Sequence, residues 1–245
     1  MAETFVLVHG AWHGAWCWAA VTRQLEMGGD RAFAVDLPGR GSNPAEHASV
    51  TRAMWVDSVA RFIEECDFRE VVLVGHSLGG LTISGVAEKI PRRLKRVVFL
   101  SAIVMPGEVN LIEDMTAVMR PEAAPHLKGL AQGEPSYTLS AERFRANFIQ
   151  DGSRDLQDFV FAALVPEVSR TATEPVSMKE FHRLDLPTGY VVCEDDLVFD
   201  DPAAWHPRYS SRLRNPLIHS IKSGHEVMFT HPVECARALA AMARG

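Results

Sequence analysis

Six short apolar runs punctuate the chain: Thr4–His9 (TFVLVH), Arg31–Leu37 (RAFAVDL), Glu70–Gly75 (EVVLVG), Arg96–Ser101 (RVVFLS), Gly189–Cys193 (GYVVC) and Leu217–Lys222 (LIHSIK). Most are continuous rather than alternating, the pattern of strands covered on both faces. Helical stretches separate most of them. Ala15–Met27 follows the first run and stops at Gly28-Gly29. Thr51–Cys66 carries apolar residues at Met54, Val56, Val59, Phe62 and Ile63. Leu81–Ile90 ends before Pro91, and Val233–Ala243 closes the chain with Pro232 at its first turn. This alternation predicts an α/β protein with a mostly parallel, six-stranded, doubly wound sheet and right-handed crossovers.

The rhythm breaks between the fourth and fifth runs. Residues 106–187 hold scattered Pro and Gly, weak strand signals and amphipathic pieces, clearest at Glu142–Ile149 and Leu156–Leu164. A connection of that length needs structure of its own. The expectation is a helical lid inserted after the fourth strand, over a core of residues 1–105 and 188–245, in a single domain overall. No period of 20–50 residues recurs; the doubled His9-Gly-Ala-Trp12 and His13-Gly-Ala-Trp16 is local.

Composition narrows the picture. With 245 residues, 47% of them hydrophobic, the chain can build one sizeable core. A net charge of -6 argues against general nucleic-acid binding. The cluster Arg92, Arg93, Lys95 and Arg96 reads as a solvated helix end. No apolar run reaches the length of a membrane span, and a strand beginning at Thr4 leaves no room for a signal peptide. Cys17, Cys66, Cys193 and Cys235 form no C-x-x-C and no zinc-like cluster. Reduced thiols in a cytoplasmic protein are the expectation.

The chemistry begins at Gly75-His76-Ser77-Leu78-Gly79, a G-x-S-x-G placed between an apolar run and a helix. The five-residue pattern alone is weak, arising by chance in roughly one chain in ten of this length. Strand, sharp turn and helix are the context in which it presents a nucleophilic serine. A serine needs a base, and the base a carboxylate to orient it, in the chain order Ser, acid, His. Of ten histidines, His225 follows the last strand after Ser223-Gly224, in the loop before the final helix. His219 sits within the strand and His231 at a helix start, both structural positions. The acid belongs after the fifth strand, where Glu194, Asp195 and Asp196 stand; spacing divides the choice between Asp195 and Asp196. Oxyanion donors are expected from the Leu78 N–H and from the loop His9-Gly10-Ala11-Trp12.

FVLVHGAWHGAWCW, AVDLPGRGSNP, VVLVGHSLGG, VVFLSAIVMPG, YVVCEDDLVF and SGHEVMF together resemble the α/β-hydrolase superfamily. Within it they are most similar to the compact branch of plant methylesterases, the salicylate-binding esterase and hydroxynitrile lyases. The resemblance implies the α/β-hydrolase fold, a triad of Ser77, His225 and Asp196, and oxyanion N–H groups from Ala11 and Leu78. It also implies a small-molecule pocket between core and lid, often in a homodimer. Gly10, Trp12, His76, Phe148 and Phe159 are the candidates for contact with substrate, and Phe161 and Leu164 for an apolar lining. Cationic residues are few near the motifs, so a charged substrate is not favoured.

The lyases of this branch carry threonine where Gly10 stands, a Glu-Ser pair in place of His76-Ser77, and lysine in place of Glu226. An anion at Glu226 opposes departure of cyanide. The reading is therefore a serine esterase for small, largely apolar carboxylic esters, needing neither metal nor organic cofactor. A lyase or C–C bond hydrolase on the same triad, an amide, lactone or carbamate hydrolase, and a small-molecule receptor of hydrolase ancestry are the alternatives.

Overall fold

The structure, a computed structural model, describes residues 2–116, 134–201 and 203–245. Six parallel strands form the central sheet: β1 (Thr4–Val8), β2 (Arg31–Val35), β3 (Val71–His76), β4 (Leu94–Leu100), β5 (Thr188–Cys193) and β6 (Leu217–Ile221). Their order across the sheet is β6-β5-β4-β3-β1-β2, and every neighbouring pair is parallel.

The continuous apolar runs become intelligible once both faces are considered. Along β1, Val6 and Val8 point into one layer while Phe5 and Leu7 point into the other; along β3, Val71 and Leu73 oppose Val72 and Val74 in the same way. The first layer is closed by α2 (Arg52–Glu65) and α3 (Gly79–Lys89), the second by α1 (Ala19–Met27) and α5 (Pro232–Arg244). Thr51 caps α2, its side chain accepting from the Met54 N–H at 3.2 Å, and Trp55, Val56, Val59, Ala60 and Ile63 make its buried stripe. The sixth run departs from the expectation of a covered strand. β6 lies at the sheet edge, and its first four residues are exposed. Arg96 departs as well: it is buried, with its guanidinium on the Thr188 carbonyl, rather than part of a solvated helix end.

Residues 106–187 pass from β4 to β5 through short helices and two small antiparallel pairs, Val109–Asn110 with Pro175–Val176 and Ser136–Tyr137 with Glu167–Val168. The expected lid includes residues 117–133, which lie outside the described residues. The predicted helix at Glu142–Ile149 forms as one turn, Ala141–Arg143, continued by a wider turn through Phe148. The other forms as α4 (Arg154–Ala163), capped by Ser153. Phe144, Phe148, Ile149 and Val160 make a small core of their own, closed by Trp12, Trp16 and Phe229. The insertion's first helix, Leu111–Thr116, is tied down by Asp114, which is buried and accepts from Arg212 at 2.8 and 3.1 Å and from Arg208 at 3.2 Å. No helix among the described residues is long and apolar enough to cross a membrane.

In this sheet order β1 leads to β2 on one side while β3 leads to β4 on the other, so the connections leave these two neighbouring strands in opposite directions. The crevice at such a reversal, beyond the carboxyl ends of the strands, is where open α/β sheets bind ligands. Here it lies between the loop after β1 and the turn after β3. α3 is drawn tightly onto the sheet at this point. A Cβ on Gly79 would meet the His9 carbonyl oxygen at 2.8 Å, and one on Gly80 the Ile103 carbonyl oxygen at 2.2 Å. Both obstacles are backbone, so the substitution G80A is expected to lower stability by about 1–3 kcal/mol, the range for overpacking a close-packed site. Urea unfolding that shows an unchanged midpoint in G80A would contradict this packing.

Candidate active site

β3 ends at His76, and the chain turns into α3 through Ser77 with φ +52°, a left-handed backbone uncommon for serine. Hydrogen bonds hold the turn. The Ser77 N–H donates to the Leu100 carbonyl at 3.2 Å, and the Ser77 carbonyl accepts from Gly80 at 3.1 Å and from Ile103 at 3.0 Å. The strain leaves the side chain partly exposed in the wall of a cavity of about 270 Å³.

The parallel register pairs Val8 with Gly75. Two residues later Gly10 runs past Ser77, where a Cβ would lie 2.9 Å from the Ser77 Cβ and 3.0 Å from His76 Nδ1. Only a residue without a side chain brings the loop this close. Two buried imidazoles then orient the loop. His9 Nδ1–H donates to the Gly10 carbonyl at 2.9 Å while its Nε2 accepts from the Leu37 N–H at 3.3 Å. His13 Nδ1–H donates to the Ala11 carbonyl at 2.7 Å. Burial pushes His9 down to about 4 and His13 down to about 3, so both rings are neutral and these tautomers are set by the carbonyls. A peptide unit is planar and trans, so a carbonyl held by a ring sends its N–H the other way. The Gly10 carbonyl is held by His9, which turns the Ala11 N–H away from it. Among the described residues neither the Ala11 N–H nor the Leu78 N–H finds an acceptor, and both residues line the cavity with Ser77.

His225 stands in the turn after β6. Its Nδ1–H donates to Asp196 Oδ2 at 2.5 Å, and both side chains are buried. Asp196 lies in the turn after β5, where its second oxygen accepts from the Val198 N–H at 3.0 Å. Asp195, the other carboxylate that spacing allowed, points to solvent. With Nδ1–H on the carboxylate, Nε2 of the neutral ring carries the lone pair, and it makes no hydrogen bond. Burial alone would lower the affinity of His225 for a proton, but the Asp196 carboxylate, through charge and hydrogen bond, outweighs it and holds the imidazole above its ordinary value. The ring is stacked on Trp205 at 5.2 Å, meets Phe148 edge-on at 5.4 Å, and lies 4.5 Å from the ring of His76. His76 is neutral, pushed well down by burial, and its Nε2–H donates to the His225 carbonyl at 3.1 Å.

The expected substrate-side residues separate into two groups. Trp12 and Phe148 line the cavity, their rings edge-on at 5.7 Å. Gly10 and His76 lie behind the wall, one against Ser77 and the other beneath His225. Phe159 does not reach the cavity; its side chain is 68% exposed on the outer face of α4. Phe161 and Leu164 pack against the insertion's own small core. The wall also includes Phe199, at the end of the YVVCEDDLVF run, and residues with no motif to announce them: Leu111, Met115, Tyr137 and Trp205. Arg143, outside those motifs, is the one charged residue lining it among the described residues.

Glu226 also departs from expectation. Expected from the sequence to be an anion, it is 1% exposed, with Oε2 3.5 Å from His13 Nε2. The spacing is that of an ion pair, yet the imidazole is neutral and its one N–H is committed to Ala11. The carboxyl therefore lacks a cation, and burial pushes it up to about 7.

The alpha/beta hydrolase family model matches residues 5–238. The chain belongs to the alpha/beta hydrolase family. It is 30% identical to methylesterase 7 of Arabidopsis thaliana over 254 residues, covering 97% of this chain and 95% of that protein. It is 28% identical to a carbendazim hydrolyzing esterase of Nocardioides sp. (strain SG-4G) over 253 residues, covering 97% and 98%. Among solved structures, an extracellular alpha/beta-hydrolase from a Paenibacillus species superposes with a TM-score of 0.91 at 26% identity, over 99% of this chain and 100% of that one. That protein is described as sharing structural and functional homology with tobacco salicylic acid binding protein 2. This kinship places the hydrolase in the branch resembling plant methylesterases, among carboxylic-ester hydrolases.

Glu226 gives a pH test. Its folded form holds a proton up to about pH 7, whereas an unfolded glutamate releases it near its ordinary 4.5. Between those values the folded protein binds more protons, so this group makes stability fall as pH rises from 4.5 to 7 and leaves it level above. Replacing Glu226 by Gln removes the dependence while His13, His225, Asp196, Asp151 and Cys17 still face the site. The stability of E226Q relative to the wild type should grow by on the order of 3 kcal/mol between pH 4.5 and 8. Urea denaturation at both ends of that range measures it, and a constant difference would contradict the assignment.

Proposed function

We propose that this hydrolase is a serine esterase working through an acyl-enzyme. The observation that carries the reading is the buried His225, fixed by Asp196 on one nitrogen and free on the other, packed 4.5 Å from the ring of His76, whose chain neighbour is the strained Ser77 that opens into an apolar cavity. Ser77 Oγ attacks the ester carbonyl as His225 Nε2 takes its proton. The Ala11 and Leu78 N–H groups receive the oxyanion, the second at the N-terminus of α3 where the helix dipole favours negative charge. Asp196 holds the ring in the productive tautomer and faces the imidazolium. His225 then protonates the leaving alcohol. Water, deprotonated by the same nitrogen, attacks the acyl-serine and releases the acid.

The cavity favours a small ester with an apolar body, framed by Trp12, Leu111, Met115, Phe148, Phe199 and Trp205. The methylesterases among the relatives make methyl esters the first substrates to try. Ester cleavage is favoured over cyanohydrin cleavage by two observations: the loop has no room at Gly10 for the lyases' threonine, and the residue after His225 is a buried carboxyl rather than a lysine. Four free cysteines, Cys66 among them exposed, favour a reducing, cytoplasmic setting.

A fluorophosphonate should label Ser77 in the wild type and nothing in S77A, with ester hydrolysis lost in step. D196N, which keeps the shape but reverses the tautomer preference of His225, should lower kcat by about 10⁴-fold. Because His225 must be neutral to act and is held above its ordinary 6.5, the acid limb of kcat/KM should lie above pH 6.5. A fully active S77A protein would refute the assignment.

A further inference from the structure

The oxyanion loop is strained at its centre. Trp12 has φ +61°, a conformation that a bulky side chain keeps only where its surroundings impose it. Those surroundings come from the insertion. The Trp12 N–H donates to Glu167 Oε2 at 2.9 Å, and the Trp12 carbonyl accepts from the Val165 N–H at 2.9 Å. Glu167 is itself held. Its other oxygen accepts from the Arg40 guanidinium and from the Val168 N–H at 2.7 Å. Arg40, from the turn after β2, donates through its second nitrogen to the Pro166 carbonyl at 2.7 Å. Arg40 and Glu167 are each 1% exposed. The N–H that Glu167 accepts belongs to the same peptide unit as the Ala11 carbonyl, which His13 holds from the opposite side.

We propose that Glu167 is a positioning residue for the hydrolysis: latched to the core by Arg40, it fixes the Ala11–Trp12 peptide and so aims the Ala11 N–H at the oxyanion. The assignment rests on the reading of Ala11 as an oxyanion donor. Glu167 does not touch substrate and acts through Trp12. The oxyanion site is thereby complete only while the insertion is latched to the turn after β2. A carboxylate suits both tasks, since one oxygen meets the cation and the other the backbone N–H.

Two double variants separate positioning from mere support. R40M/E167L and R40M/E167Q both remove the buried ion pair, a replacement that proteins often tolerate when both partners go together. Only the Gln variant keeps an acceptor for the Trp12 N–H. With a p-nitrophenyl ester, R40M/E167L should lose on the order of 10²-fold in kcat with KM little changed, the scale of a small misplacement at a reacting centre. Its inhibition by a trifluoromethyl ketone, whose adduct carries an oxyanion, should weaken in parallel. R40M/E167Q should recover most of both. Equal kcat and equal ketone affinity in the two variants would overturn the proposal. A wild type insensitive to the ketone would instead overturn the oxyanion reading on which it stands. A measurement without substitutions tests the latch directly: the Trp12 amide of the wild type should exchange its hydrogen as slowly as the sheet amides. Exchange as fast as an exposed loop would overturn the proposal even if neither variant folds.

Discussion

The parallel pairing of β1 with β3 is the constraint on which the site depends. It sets Val8 opposite Gly75 and therefore carries the loop after β1 alongside the turn that bears Ser77. Hydrophobic patterning alone does not fix this register, because both faces of both strands are apolar and a one-residue slip would only exchange the two layers. Close backbone contacts fix it instead. Gly10 against Ser77, Gly75 against Gly79 and Gly79 against His9 each fill a space too small for a methyl group. The glycines that read as a catalytic motif are thus also what locks the sheet at the crevice.

Three buried carboxyl side chains surround this point, and each meets a different partner. Asp196 faces an imidazole able to take a proton, so protonating the ring leaves no ion alone. Glu167 faces a guanidinium that cannot lose its proton, which makes that pair permanent and fits it for holding a backbone in place. Glu226 faces an imidazole whose N–H is already spent on a carbonyl, so its charge is uncompensated and its proton is retained to about pH 7. The difference lies less in the carboxyls than in the prior commitments of what they meet. Removing one partner of such a pair is costly because the other remains buried and charged.

The sheet was legible in the sequence because each strand is a dense apolar run between turn signals, and Ser77 because its turn demands glycines at set places. His225 was readable from its place after the last strand. The choice between Asp195 and Asp196 was not a matter of spacing; it depends on which way the turn after β5 faces, and there Asp196 is buried on His225 while Asp195 meets solvent. Glu167 and Arg40 gave no signal. A lone Glu beside Pro166 and an Arg between two glycines look like loop charge until residues 127 positions apart are brought together. Phe159 misled for the converse reason: helical spacing places it near apolar neighbours, but the buried face of α4 centres on Val160 and leaves it outside.

The insertion does more than roof the cavity. Its segment 147–151 is stitched to both loops that carry the Asp196–His225 pair. Asn147 donates to the Leu197 carbonyl at 2.9 Å and Gln150 to the Asp195 carbonyl at 2.5 Å, on either side of Asp196. Asp151 accepts from the Gly224 N–H at 2.8 Å, and the Phe148 carbonyl from the Glu226 N–H at 3.1 Å, on either side of His225. Its segment 165–168 holds the loop after β1 in the same manner. Three loops that leave three different strands are therefore referenced to one another through the insertion as well as through the sheet. A roof that varied freely would disturb the Asp196–His225 pair, because the same few residues serve both. In this hydrolase the segments fastened to the core, 147–151 and 165–168, carry that constraint. The walls outside them, at Leu111, Met115, Thr138 and Leu139, are where the cavity can be reshaped with the least consequence for the chemistry.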